Sequence, residues 1–116
     1  MARFLIDSDS TTPQPNDMRH PTVPVIGLTL AGQPVRQGYP GLEVVYDVLS
    51  YEKMRALLAL YDPTAPRVTV TFDEPQSGSS VRYDAVMLEP EIGRRATLFY
   101  LNVTVRFIRL TNRTVL

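Results

Sequence analysis

Few side chains in this sequence have the type and spacing that chemistry needs. His20 is the sole histidine and cysteine is absent. A zinc site of thiolates and imidazoles therefore has no ligand set, and neither a cysteine nucleophile nor a disulfide framework exists. Asp7, Asp9 and Asp17 lie in the same N-terminal stretch as His20, but without the glycine and terminal glutamate of a calcium loop. Asp73 and Glu74 are adjacent, so in an extended chain they point to opposite faces and make a poor acid–base pair. They read as turn residues. Ser77-Gly-Ser-Ser80 has the small polar composition of a nucleophile or phosphate loop. It lacks both the Gly-x-Ser-x-Gly spacing and the Gly-Lys-Ser/Thr ending, and reads as a hairpin tip.

One charged constellation remains. Arg94, Arg95, Arg106, Arg109 and Arg113 gather toward the C-terminus beside Phe99 and Tyr100. Such a face could meet a nucleic acid. Against this, 12 basic and 12 acidic residues give zero formal net charge, and the aromatic signature of an RNA-binding sheet is missing. The arginines read instead as a solvated or subunit-facing edge. No catalytic residue, metal ligand or cofactor site is expected, and no sequence-specific nucleic acid partner.

The elements that would position these groups are legible in part. A chain of 116 residues fits one domain. Residues 1–24 hold Pro13, Pro15, Pro21 and Pro24 among Ser, Thr, Asn and Asp, which favours turns over regular structure. They are expected to form an extended or disordered N-terminal arm. Phe4, Leu5 and Ile6 give it an apolar tip that a purely solvated tail would not use, so the arm could lie on a neighbouring subunit. Residues 25–116 are expected to form a single β-rich domain.

Within that domain, Val25–Leu30 reads as a strand and residues 33–41, with two prolines and two glycines, as a loop. Leu42, Val44, Tyr46 and Val48 alternate along the next strand. A helix is expected over 50–61: Ser50 can cap it, Glu52 suits its first turn, Leu49 and Met54 can staple it, and Asp62-Pro63 stops it. Tyr51, Met54, Leu57, Leu58 and Tyr61 share its apolar face. Lys53 and Arg55 lie away from that stripe and become candidates for subunit contact. Three further strands follow, at Arg67–Phe72, around Val81–Met87, and from about Ala96 to Leu110, with Pro90-Glu-Ile-Gly93 as a turn. The last strand's phase flips at Ile108-Arg-Leu110, which suggests a bulge or a change of neighbour, and its length suggests an end that reaches another chain. Arg106 and Arg109 are its candidate interface residues. The order β-β-α-β-β-β gives an α+β domain, a mainly antiparallel sheet or sandwich packed by one short helix.

Residues 42–108 resemble small tail structural proteins of long-tailed bacteriophages. The similarity rests on four pieces of this sequence. The strand Leu42–Leu49 ends in Leu-Ser, and a helix with an acidic residue, Met54 and paired Leu57-Leu58 follows. Phe72-Asp-Glu-Pro-Gln-Ser-Gly78 resembles an Asp-Pro-x-x-Gly signal with one inserted residue. Arg82–Pro90 is a strand ending in proline, and Leu98–Ile108 is a long apolar strand. Upstream the chain departs from that pattern, with Gly32–Gly41 where those proteins carry a glycine-rich basic segment. The resemblance implies a tail-tube-like fold, no enzymatic activity, and assembly into rings with copies of itself and other virion proteins. The protein would then be made in the host cytoplasm and reside in the virion, as tail tube, terminator or distal-tail adaptor. A capsid decoration or head-completion protein is the alternative. A small ligand-binding accessory domain of a cellular protein, with Tyr39, Tyr46 and Tyr83 around a pocket, is another. No apolar run is long enough for a membrane-spanning helix, and the acidic turn after Ile6 does not suit a signal peptide.

Overall fold

The computed structural model describes residues 4–22, 25–36, 40–74 and 77–116. It is mostly antiparallel β with one short helix, and its main sheet curls into a half-barrel. The strands are β1 (Leu5–Ile6), β2 (Asp17–Thr22), β3 (Val25–Leu28), β4 (Pro34–Arg36), β5 (Gly41–Ser50), β6 (Arg67–Glu74), β7 (Ser79–Met87), β8 (Glu91–Arg95) and β9 (Phe99–Val115). The helix α1 (Tyr51–Ala59) follows β5 directly. The main sheet runs β1-β6-β7-β9-β5-β2, with β8 on β9 as well. Among the described residues β3 and β4 pair only with each other.

Strand β9 organises the sheet because it is long enough to serve three neighbours. Along one side, residues 99–107 pair with β5. Along the other, residues 100–104 pair with β8 and residues 107–115 with β7. The expected phase flip is a bulge: Asp84 faces Thr111 while Val86 faces Ile108, so β9 carries one extra residue there. Arg109 absorbs it at φ 55°, and Asn112 at φ 56° absorbs a second extra residue opposite Arg82–Asp84. Such bulges sharpen the local twist and help the sheet to curl.

The alternating side chains fill the curl. Leu42, Val44, Tyr46, Val68, Val70, Phe72, Val81, Tyr83, Ala85, Met87, Val103, Val105 and Phe107 are all buried, as their spacing predicts. Val48 breaks the pattern: it is 54% exposed, and Leu49 is buried in its place. Helix α1 begins as expected. The Ser50 Oγ accepts a hydrogen bond from Lys53 N at 3.3 Å, satisfying an otherwise unpaired helix N–H. Its buried face is narrower than the five-residue stripe, with only Met54 and Leu57 fully covered and Tyr51 and Leu58 largely exposed.

The expectation of a separate arm over 1–24 is corrected over residues 4–22. Leu5 and Ile6 pair with Thr71 and Val70 on β6, and Asp17–Thr22 pairs with β5 at the opposite margin of the sheet. Residues 7–16 thus link the two edges of the half-barrel. Phe4 and Ile6 are 2% and 0% exposed, and the Phe4 ring meets Phe107 edge-on at 5.7 Å. Polar side chains make this possible in a sequence poor in apolar residues. Gln14 Oε1 accepts from Phe4 N at 2.9 Å and its Nε2 donates to Phe4 O at 2.8 Å. Thr12 Oγ1 accepts from Ile6 N, and Tyr46 Oη donates to Pro13 O at 2.9 Å. These bonds satisfy backbone groups that burial would otherwise leave unpaired.

Two further expectations change. The segment read as a turn at Pro90–Gly93 carries β8, and the loop over 33–41 contains β4.

Candidate functional site

The proposed interface residues do not converge. Phe4 and Ile6 belong to the chain's own core, and Leu5 is half-buried on β1. This corrects the idea that the apolar tip is kept for a neighbour. Lys53 and Arg55 are exposed on α1, where the Arg55 guanidinium sits 5.8 Å from the Tyr51 ring.

Arg106 is exposed but engaged. Its Nη1 lies 2.7 Å from Glu91 Oε1 on β8, and its Nε 3.3 Å from Glu43 Oε2 on β5. Arg19 on β2 approaches Glu43 from the other side at 3.8 Å. The four side chains form a ladder of alternating charge across β2, β5, β9 and β8, a favourable cross-strand arrangement. The Glu43 hydrogen bond and then the nearby Glu91 charge raise the Arg106 pKa.

Arg109 lies elsewhere, on the bulge of β9. With Asp7, Arg67, Thr69, Asp84, Val86 and Thr111 it lines an open cleft of about 420 Å³. The two carboxylates there are held by neutral donors: Thr69 N gives 2.9 Å to Asp7 Oδ1, and Asn112 Nδ2 gives 2.7 Å to Asp84 Oδ2. Among the described residues neither Arg67 nor Arg109 makes an ion pair. Thr69 and Thr111 flank Asp84 as its cross-strand partners on β6 and β9.

A second charged pair was not foreseen. Glu74 is buried at the end of β6, and Arg113 binds it in two-pronged fashion, Nη2 to Oε1 at 2.7 Å and Nε to Oε2 at 3.0 Å. Tyr83 Oη also donates to Oε2 at 3.1 Å. The Arg113 hydrogen bond dominates burial and holds the Glu74 carboxyl down at about 2. Burial, and then Glu74 itself, push the Tyr83 hydroxyl up. Asp73 points the other way and accepts from Ser80 Oγ at 2.7 Å. The signal for this site is the parity of β6: Glu74 shares the inward face of Val70 and Phe72.

Other candidates resolve as local structure. Asp9 caps a turn through Thr11 N and Oγ1, and Asp17 accepts from Met18 N. Of His20 only the backbone, in β2, is described. Tyr46 and Tyr83 are buried core residues, so they line no open pocket, and Tyr39 lies outside the described residues. Among the described residues no cluster of His, Asp or Glu could hold a metal, and no helix is long and apolar enough to cross a membrane.

Several apolar side chains remain exposed. Leu28 and Leu30 stand on the β3–β4 hairpin, whose described side chains at 27–33 are all exposed. Leu98 and Phe99 lie at the tip and start of the β8–β9 hairpin, with Val48 and Tyr51 near the Ser50–Phe99 pair. Comparison with protein-family models, curated proteins and solved structures gives no match.

Proposed function

We propose that this chain is a structural assembly protein of a virion, a bacteriophage tail component with a tail-tube-like fold that works as a homo-oligomer. The observation that carries the reading is the β3–β4 hairpin. Among the described residues it pairs with no strand of the main sheet, and it leaves Leu28 and Leu30 in solvent. Apolar side chains outside any core mark contact surfaces. The pattern of residues 42–108 supports the tail assignment, and the exposed Lys53/Arg55 side of α1 supplies a second surface for a neighbour.

Light scattering behind size-exclusion chromatography, with negative-stain microscopy, tests this. Rings, tubes or defined multiples of the 13.1 kDa chain are expected. Leu30→Asp should dissolve them while the circular dichroism spectrum is unchanged. A folded monomer that forms no such particles, alone or with tail proteins, would overturn it.

A further inference from the structure

The cleft beside Arg109 is shaped by the bulges of β9. Val86 and Asp84 are two positions apart on β7, while their partners Ile108 and Thr111 are three apart on β9. The extra residue is Arg109, which is exposed and holds φ 55°. That left-handed backbone is unfavourable for a residue with a side chain, and bulges of this kind re-aim side chains. The second extra residue, Asn112 at φ 56°, uses its side chain within the chain, on Asp84. Arg109 has no such use. Among the described residues no hydrogen bond or ion pair holds its guanidinium or that of Arg67, whereas Arg106 and Arg113 are both engaged. A strained residue whose side chain satisfies nothing internal points to a role in binding.

We propose that this cleft binds a small hydroxylated anion, a sugar-like body bearing a phosphate or carboxylate, with the oxyanion held between Arg67 and Arg109. The register sets the two arginines on either side of Val86. Arg67 pairs with Val86 on β6, and Ile108, next to Arg109, pairs with it on β9. Two strand spacings put their backbones about 10 Å apart, a gap that two guanidiniums close from opposite sides onto one anion. Their forked N–H donors match phosphate and carboxylate oxygens. The cleft's volume of about 420 Å³ lies within the range of small-molecule sites.

A second row crosses the same strands two residues along: Asp7, Thr69, Asp84 and Thr111. Its two carboxylates would repel a bare anion, so the ligand must also bring hydrogen-bond donors. Each carboxylate has one oxygen tied to a neutral donor, Asp7 Oδ1 to Thr69 N and Asp84 Oδ2 to Asn112 Nδ2. The other oxygen of each remains for a ligand, and the arginines stay unpaired. The Thr69 and Thr111 hydroxyls beside Asp84 can donate or accept, a mixture that suits sugar hydroxyls better than a second charge. The two rows lie about 7 Å apart along the strands. A single sugar ring bearing one acidic group spans them, with its anion on the arginines and its hydroxyls on the aspartates.

The inference rests on the cleft alone and holds whether or not the virion reading is right. Amide NMR spectra of the native chain can be followed while glucose 6-phosphate, glucuronate, inorganic phosphate or glucose is added. The two acidic sugars should bind and move the Thr69, Val86 and Thr111 signals, and the tighter of them identifies the anion. Inorganic phosphate should bind more weakly, and glucose not at all. Arg67→Gln and Arg109→Gly should each weaken binding about tenfold or more, the loss of one charge-assisted contact. Arg109→Gly should do so without lowering the melting temperature, because glycine accepts a positive φ freely. That separates lost binding from lost folding. Arg94→Gln, outside the cleft, should leave the affinity unchanged. No saturable shift with either acidic sugar up to ~10 mM would overturn the proposal. So would an affinity that both arginine variants retain, or glucose or inorganic phosphate binding as tightly as glucose 6-phosphate.

Discussion

Replacing Ile6 with alanine should cost this domain about 3 kcal/mol. Ile6 is fully buried on β1, a strand of only two residues against Val70 of β6. Truncating a buried isoleucine removes transfer energy and leaves a cavity, together about 2–5 kcal/mol. The middle of that range suits a site beside the open margin of the sheet, where neighbours can partly relax. For a chain of 116 residues the unfolding entropy implies about 4 °C of Tm per kcal/mol, hence a fall on the order of 12 °C. Urea unfolding followed by far-ultraviolet circular dichroism reads the energy, and a thermal melt reads the shift. Leu5→Ala is the internal control: Leu5 is only half-buried on the other face of β1, and the cost should be below about 1 kcal/mol. Equal, small losses at both positions would refute the placement of β1 on β6. Residues 4–6 would then have to be treated as a free arm.

Two other substitutions test specific contacts. Glu74→Gln removes the anion that Arg113 grips, and should cost about 1–2 kcal/mol at neutral pH, a modest figure because Arg113 is partly solvated. The folded-state pKa of Glu74 is depressed from 4.5 to about 2. Its contribution is therefore full above about pH 4.5 and lost as pH falls toward 2, so urea midpoints of native and variant should converge in acid; a constant gap would refute the ion pair. At the β8–β9 hairpin, a Cβ on Gly93 would meet Asn102 Cβ at 2.8 Å and the Asn102 carbonyl at 3.0 Å. Gly93→Ala should lower stability by about 1–3 kcal/mol, measured by urea unfolding, and an unchanged midpoint would refute that close approach.

What could be read in advance followed from period and punctuation. Helix α1 was legible because Ser50, Met54, Leu57 and Asp62-Pro63 mark its cap, its buried face and its end. Strands β6, β7 and the middle of β9 were legible from strict alternation, and the β9 bulge from its break in phase. Short strands held by tertiary contact were not. Strand β1 is too short to show a period, and β2 carries Pro21 among polar residues. Their order depends on Gln14, Thr12 and Tyr46, partners distant in sequence. Strand β8 hid in a Pro-Glu-Ile-Gly stretch because an exposed edge strand has no apolar face to alternate. The partnership of Glu74 with Arg113 spans 39 positions, and only the fold brings them together. Of the proposed interface residues, Lys53, Arg55, Arg106 and Arg109 are exposed. Phe4 and Ile6 failed as interface residues because the same apolar character serves an internal core equally well.

The most direct test of the assembly reading is the mass and shape of the purified chain in solution. Light scattering should give defined multiples of 13.1 kDa, and negative-stain images should show rings or tubes that Leu30→Asp removes. A single folded 13.1 kDa species up to the solubility limit, with no particles alone or beside tail proteins, would contradict it.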